Sequence, residues 1–391
     1  VGIPPDQVEG IMDRPFVYFN NAATSWPKPD CVVRVVQKVL VEPCHETGRS
    51  TLHDVRDYPS EAREGIGRLL GTKYPDHVVF TQNATDSLNI LIHGFVKQHP
   101  GRFHVITTDL EHNSVLRPLM TLSHEGRILL TILKSGNDFH VTPEMISPEI
   151  RDDTKLFVLG HGSNVIGSVQ DMRHIGRFLH EKGIFLIVDG AQTLGQTQVD
   201  ISDGSVDAFA FTGHKYLFGI QGIGGFYLKD PQEIAAIKQG GTGADSRNLF
   251  HPVDMPLKYE AGTANYPGIA SLYAGIKYVE SSGIDRIADH TRDLCRYLIS
   301  SLQKEPGVLI DNKDPELPVI SFNIQGLDNE DAGLILARAY NIVTRTGLHC
   351  APLIHERLNS GKGSIRLSLS FQNTREECDA AIDAILELVT G

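Results

Sequence analysis

Between residues 75 and 230 the chain repeats one pattern: a short apolar run, a polar tip, then a helical stretch. The runs are "HVVFT" (77–81), "FHVITT" (103–108), "KLFVLG" (155–160), "IFLIVD" (184–189) and "DAFAFT" (207–212). A half-exposed strand would alternate apolar and polar residues, so unbroken runs of this length point to strands covered on both faces. Strands alternating with helices predict an α/β domain of the doubly wound type, with a mostly parallel sheet between helices. One helix is legible in "DMRHIGRFLHEKG", where Ile175, Phe178 and Leu179 fall at helical spacing and Gly183 closes the stretch as a C-cap. From about residue 255 the character changes to long helical segments followed by alternating strands such as "PVISFNI" and "GSIRLSLS". The expected division is a large domain over 17–254 and a smaller α+β domain over 255–391, joined by the N-terminal segment 1–16.

In a sheet of this kind ligands bind outside the carboxyl ends of the strands. Those ends read "QNATDS", "DLEHNS", "GHGSNVIG", "DGAQT" and "TGHKY", which gathers histidines, an aspartate, a lysine and small hydroxyl residues at one rim. Lys215 stands among glycines at the end of a buried strand. A poorly solvated lysine favours the neutral, nucleophilic amine. Asp189 ends another strand and would hold a proton on a ring nitrogen. The helix expected to open at Thr85 would offer backbone N–H groups to a phosphate, as would Thr212 and His214 beside Lys215. A lysine, an acid and a phosphate cradle form a pyridoxal phosphate site. Each residue also has a plainer reading: Lys215 as a loop lysine, Asp189 as an N-cap for "GAQTLG", Thr85 as an N-cap.

The order of motifs is more specific than any one of them. "VDGAQ" followed by "TGHKYLFGIQGIGGFYL" resembles the fold-type-I pyridoxal phosphate enzymes of the class V aminotransferase group. Within that group the chain is most similar to cysteine desulfurases and selenocysteine lyases. "YFNNAATSWPKP" (18–29), "EHNS" (111–114), "GSNVIG" (162–167), "GGTG" (240–243), "YEAGTANYPGIASL" (259–272) and "RTGLHCAP" (345–352) match in the family's order. The resemblance implies that Lys215 binds the cofactor covalently and moves the substrate Cα proton. It also implies that Asp189 pairs with the ring nitrogen, Gln192 hydrogen-bonds the ring oxygen and His112 stacks on the ring. Thr85, Thr212 and His214 would hold the phosphate; Ala84, where many relatives carry a hydroxyl, leaves one contact missing. Thr242 would reach the phosphate of a partner subunit, which makes the expected assembly a homodimer. Asn164 and Arg366 would grip the substrate carboxylate, with Ala23 and His53 also at the substrate. The match of Arg49 and His53 to the family pattern is loose, and "EHNSV" lacks the second histidine common in relatives.

Cys350 decides the chemistry. In desulfurases the corresponding cysteine takes the substrate's sulfur as a persulfide and the substrate leaves as alanine. A nearby cation, His349 or Arg345, would assist, and an acceptor protein would remove the sulfur. The expected activity is therefore a cysteine desulfurase using L-cysteine, with selenocysteine as a second substrate class. The alternative is a C–S lyase that eliminates cysteine or cystine to pyruvate, ammonia and a sulfur species, a reaction needing no protein thiol. A lone cysteine is otherwise an ordinary buried residue, the reading given to Cys31, Cys44, Cys295 and Cys378. His45, His53 and His349 stand as further candidates for tuning the substrate. A non-catalytic binding role fits poorly with the intact lysine, aspartate and arginine set.

Composition narrows the setting. With 36 basic against 48 acidic residues, a net of −12, the chain lacks the clustered positive charge of a nucleic-acid binder. No segment approaches the ~18 consecutive apolar residues of a membrane span. The N-terminal stretch lacks the marks of a signal peptide. The five cysteines show no paired spacing and no metal-ligand pattern, as in a reducing cytoplasm.

Overall fold

A computed structural model describes residues 16–42, 56–244, 247–358 and 360–390. Of the residues singled out in the sequence, Arg49, His45, His53 and Cys44 lie outside the described residues. The chain forms two compact units, one of Lys28–Gly162 with Val169–Ile284, the other containing residues 16–27, 163–168 and 285–391.

The larger unit is built on a seven-stranded sheet in the order Val78–Thr81, Gly224–Leu228, Ala208–Thr212, Phe185–Asp189, Thr154–Gly160, Phe103–Thr108, Ile128–Leu133. Neighbouring strands pair in parallel except around Gly224–Leu228, which runs against both of its neighbours. The Phe103–Thr108, Ala208–Thr212 and Gly224–Leu228 strands are buried at every position because both faces are covered, and Val105, Leu156, Val158, Ile187 and Phe226 pack with Leu88, Leu91 and Phe95 of the Ala84–Gln98 helix. All five strands expected from the apolar runs are present. Gly224–Leu228 and the less buried Ile128–Leu133 are additional.

Helix ends follow local chemistry. The Met172–His180 helix starts at Asp171, whose side chain accepts from His174 N–H. It ends in a pair of hydrogen bonds, Gly183 N–H to His180 O and Ile184 N–H to Leu179 O, with Gly183 at φ +67°. This is the left-handed C-cap that glycine permits. The Ala84–Gln98 helix corrects one expectation: its N-cap is Asn83, in extended backbone and accepting from Asp86 N–H, while Thr85 already lies inside the first turn.

The smaller unit is α+β. Its antiparallel sheet runs Arg345–Gly347, Ser364–Ser368, Val319–Ile324, Val308–Ile310. The helices Ile284–Leu302, Asn329–Tyr340 and Arg375–Thr390 bring Leu298, Leu336 and Ile382 against Phe322, Ile365 and Leu367. A two-residue parallel pairing of Val17–Tyr18 with Ile342–Val343 and a bridge from Asn20 to Ser368 tie the N-terminal segment into this unit. The units thus divide elsewhere than at 254/255: residues 16–27 go with the smaller one. The Tyr266–Ser282 helix goes with the larger one, where it packs on the Asp30–Val41 and Tyr58–Leu70 helices.

That helix also supports the loop after the Ala208–Thr212 strand. Ser271 Oγ accepts from Ile220 N–H, and a Cβ on Gly275 would stand 1.9 Å from Leu217 O. Gly275→Ala must therefore push the helix off this loop. Overpacking of that kind costs roughly 1–3 kcal/mol, which a lowered urea midpoint at unchanged m-value would register.

Candidate active site

The carboxyl ends of the parallel strands place most of the expected residues of the larger unit. Asp189 pairs in register with Gly160 on one side and Ala210 on the other, so neither neighbour crowds its side chain. The carboxylate is buried; Oδ1 accepts from Ala191 N–H at 3.0 Å and Oδ2 from Ser114 Oγ at 3.4 Å. Burial pushes this acid up, while the Ala191 amide, the Lys215 positive charge and the Ser114 hydroxyl pull it back toward ionisation. Asp189 caps no helix: the Ala191 contact closes a turn. Gln192, three residues on, is buried beside it in sequence.

Lys215 follows the Ala208–Thr212 strand in a loop that closes on itself, with Gly213 N–H to Ile223 O, Gly219 N–H to Gly213 O and Phe218 N–H to Lys215 O. Phe218 holds φ +57° and is buried, so its ring pins a backbone conformation that a non-glycine residue rarely adopts. Thr212 Oγ1 is buried with no hydrogen-bond partner among the described residues. The His214 ring is pushed down to about 4, first by burial and then by the charges of Lys215 and Lys28, and so is neutral near pH 7. Lys28 Nζ donates to His214 O at 3.1 Å and is itself pushed down to about 8 by burial.

His112 is the N-cap of the Asn113–His124 helix. Its Nδ1 accepts from Ser114 N–H at 3.0 Å and lies 2.8 Å from Ser114 Oγ. Beside it Glu111 is fully buried, with Oε1 accepting from Thr108 Oγ1 (2.7 Å) and Gly160 N–H (2.9 Å) and Oε2 without a partner. Burial pushes Glu111 up to about 8, with the charges of Asp189 and Asp109 adding to it. It is therefore a neutral acid at pH 7. Ala84 is buried at the start of its helix and Thr85 is exposed in the first turn, where backbone N–H groups have no intrahelical acceptor. Thr242 lines a cavity of about 380 Å³ together with Thr81, Asp86, Lys238 and Glu260; Lys215, Asp189 and His214 are not in that lining.

The smaller unit gathers a second set. Arg366 is fully buried; Nη1 donates to Asn164 O at 2.9 Å and Nη2 to Asn20 Oδ1 at 3.2 Å. Asn164 Nδ2 in turn donates to His349 O at 2.7 Å. Arg345 lies directly across the strand pair from Arg366. Like charges so placed repel, and both forks suit an anion. Arg345 Nη2 donates to Cys350 Sγ at 3.2 Å. His349 and Cys350 hold φ +50° and +60° in succession, a left-handed pair that costs of order 1–3 kcal/mol per residue and recurs at functional sites. His349 is not the cation near this thiol. Burial, followed by Arg366, His355 and Arg345, pushes its ring down to about 2, and Nε2 sits 3.2 Å from Ser364 Oγ. Ala23 N–H donates to Asn20 O in a local turn.

Ser114, Lys28 and Asn20 went unread in the sequence. Ser114 and Lys28 fall inside the "EHNS" and "SWPKP" motifs, which mark the place but not the contact. Among the described residues no group of His, Cys, Asp or Glu could hold a metal ion, and no helix is long and apolar enough to cross a membrane. The donor set of the larger unit fits pyridoxal phosphate instead: a half-buried lysine, a buried acid for the ring nitrogen, and at Thr212 a buried hydroxyl that still lacks an acceptor or donor.

Comparison with known proteins gives the same direction. The pattern of the family described as Aminotransferase class-V matches residues 17–381. A protein of Methanothermobacter thermautotrophicus named "Probable cysteine desulfurase" is 32% identical over 391 residues, 96% of this chain and 95% of that one. A protein of the same name from Pyrococcus abyssi is 30% identical, covering 99% of this chain and 98% of that one. The solved apo structure of the cysteine desulfurase from Thermococcus onnurineus superposes with a TM-score of 0.87 at 27% identity, over 100% of this chain and 99% of that one.

Glu111 makes a pH prediction. Its folded-state pKa, about 8, lies above the ordinary 4.5, so between these values the folded chain binds more protons than the unfolded one. The stability that protonated burial contributes is whole below about pH 4.5 and is lost as pH rises toward 8. Glu111→Gln removes this loss. Thermal melts from pH 5 to 8.5 will show the variant gaining on the parent as pH rises; parallel curves would mean that Glu111 is ionised throughout.

Proposed function

We propose, from the premise that this chain belongs to the Aminotransferase class-V family, that it is a pyridoxal phosphate-dependent cysteine desulfurase acting on L-cysteine. The observation that carries the reading is the Arg345–Cys350 contact on a strained loop. Elimination of sulfur needs no protein thiol, whereas transfer of sulfur needs one that is fixed and faced by positive charge.

Bound pyridoxal phosphate supplies an electron sink for the substrate's Cα. The chain's own residues do the rest. Lys215 Nζ would hold the cofactor and move the proton at the substrate Cα. Asp189 would keep a proton on the ring nitrogen, for which its carboxylate must stay ionised despite burial. Gln192 would hydrogen-bond the ring oxygen and His112 would stack on the ring. Thr212, His214 and the first turn at Ala84 and Thr85 would hold the phosphate. Arg366, kept in place by Asn20 and the Asn164 carbonyl, takes the substrate carboxylate with Asn164 and Ala23. Cys350 Sγ then attacks the substrate sulfur: the S–S bond forms, the Cβ–S bond breaks, and Cβ takes a proton to give alanine. Carbon is reduced as the two sulfurs are oxidised, so no external oxidant enters.

The assembly we propose is a homodimer, with Thr242 reaching the partner's phosphate. The exposure of Leu249, Phe250 and Val253, close to Thr242 in sequence, supports a protein surface meeting this segment. A separate acceptor protein would take the persulfide sulfur. The free cysteines among the described residues fit a reducing, cytoplasmic setting.

Two experiments test the reading. Lys215→Ala will lose the cofactor's visible absorbance while circular dichroism stays that of the parent. With L-cysteine and a thiol reductant, the parent will form alanine in step with sulfide, and Cys350→Ala will lose both by about 100-fold or more. Pyruvate and ammonia, unaffected by Cys350→Ala, would establish the C–S lyase instead.

A further inference from the structure

One hydroxyl stands between two groups of the larger unit's site. Ser114 Oγ is 2.8 Å from His112 Nδ1 and 3.4 Å from Asp189 Oδ2, and Ser114 N–H donates to His112 Nδ1 at 3.0 Å. The amide can only donate, so Nδ1 carries a lone pair and the proton of a neutral His112 ring sits on Nε2. A proton on Nδ1 would set donor against donor and break the helix N-cap. The hydroxyl has one hydrogen and two acceptors, the ring nitrogen and the carboxylate.

We propose that Ser114 is a positioning residue of this site: its amide fixes the orientation and tautomer of His112, and its hydroxyl hydrogen, shared between His112 and Asp189, favours the ionised form of Asp189. The proposal rests on the cofactor reading above, in which Asp189 must carry charge to serve the ring nitrogen. It assigns to a residue outside the expected set the coupling between the group on the ring face and the group at the ring nitrogen.

Other charges act on the same carboxylate. Lys215 and the Ala191 amide favour its ionisation, and burial opposes it. The charge of Asp189 in turn helps to push Glu111 up to about 8. Removing only the Ser114 hydroxyl leaves all of these, and the N-cap amide, in place. The cost falls on the Asp189 carboxylate, which loses one hydrogen bond to its charged form.

The test uses the full chain with Ser114→Ala and Ser114→Thr. In the cofactor-free protein, carbon-13 titration of the Asp189 carboxyl, assigned with Asp189→Asn, will show the midpoint of Ser114→Ala about one pH unit above the parent. Ser114→Thr, which keeps the hydroxyl, will restore it. In the cofactor-loaded enzyme Ser114→Ala will lower kcat about 10-fold with KM for L-cysteine within twofold, and the bound cofactor's absorption band will change its pH dependence. A purely structural role would lower the melting temperature and leave the carboxyl midpoint and the band unmoved. An unmoved midpoint in Ser114→Ala overturns the proposal even if activity falls. A parent that binds no cofactor overturns the functional reading, while the titration still decides the role of Ser114.

Discussion

A carboxylate buried at the end of a parallel strand is expensive, and the larger unit is arranged around keeping Asp189 there. Small neighbours at Gly160 and Ala210 leave room for it, an amide and a hydroxyl bond it, and the ammonium of Lys215 opposes its charge. Taking an isolated ion into such surroundings costs several kcal/mol unless partners compensate. The neighbouring acid, Glu111, is pushed up to about 8 by burial and by the charges of Asp189 and Asp109, against the two hydrogen bonds on its Oε1.

The smaller unit concentrates the opposite sign. Antiparallel register sets Arg345 across from Arg366, and like charges so placed repel. One guanidinium is spent on neutral oxygens that hold it in place, the other on a sulfur. His349 contributes geometry rather than charge: its carbonyl anchors Asn164, its ring reaches Ser364, and its backbone, with that of Cys350, takes the left-handed turn that presents the thiol. Strain of this kind persists only where surrounding contacts over-determine it.

Much of this was legible in the sequence because burial on both faces leaves unbroken apolar runs, and five such runs located the sheet and its carboxyl ends. What escaped has physical reasons. Gly224–Leu228 is not among these runs because it opens on two glycines, which close approach demands; a Cβ on Gly225 would stand 2.4 Å from Val79 O. Asn83 rather than Thr85 caps its helix because the capping residue must be extended, a backbone property that the letters "NAT" do not reveal. The cross-strand placement of Arg345 and Arg366 depends on a long connection, and the bridge from Ser114 to Asp189 joins residues far apart in the chain. The neutrality of His349 follows from burial among arginines, which no local motif encodes. Motif order yields the expected site residues; the partners of their side chains follow only from the fold.

The central claim is that sulfur leaves the substrate by way of Cys350. It is tested most directly by mass spectrometry of the peptide carrying Cys350, after the holo-protein has met L-cysteine without reductant and been blocked with an alkylating reagent. The account predicts a blocked cysteine heavier by one sulfur atom, absent when Arg345 or Lys215 is replaced. Turnover of cysteine with Cys350 recovered as an ordinary alkylated thiol would contradict it.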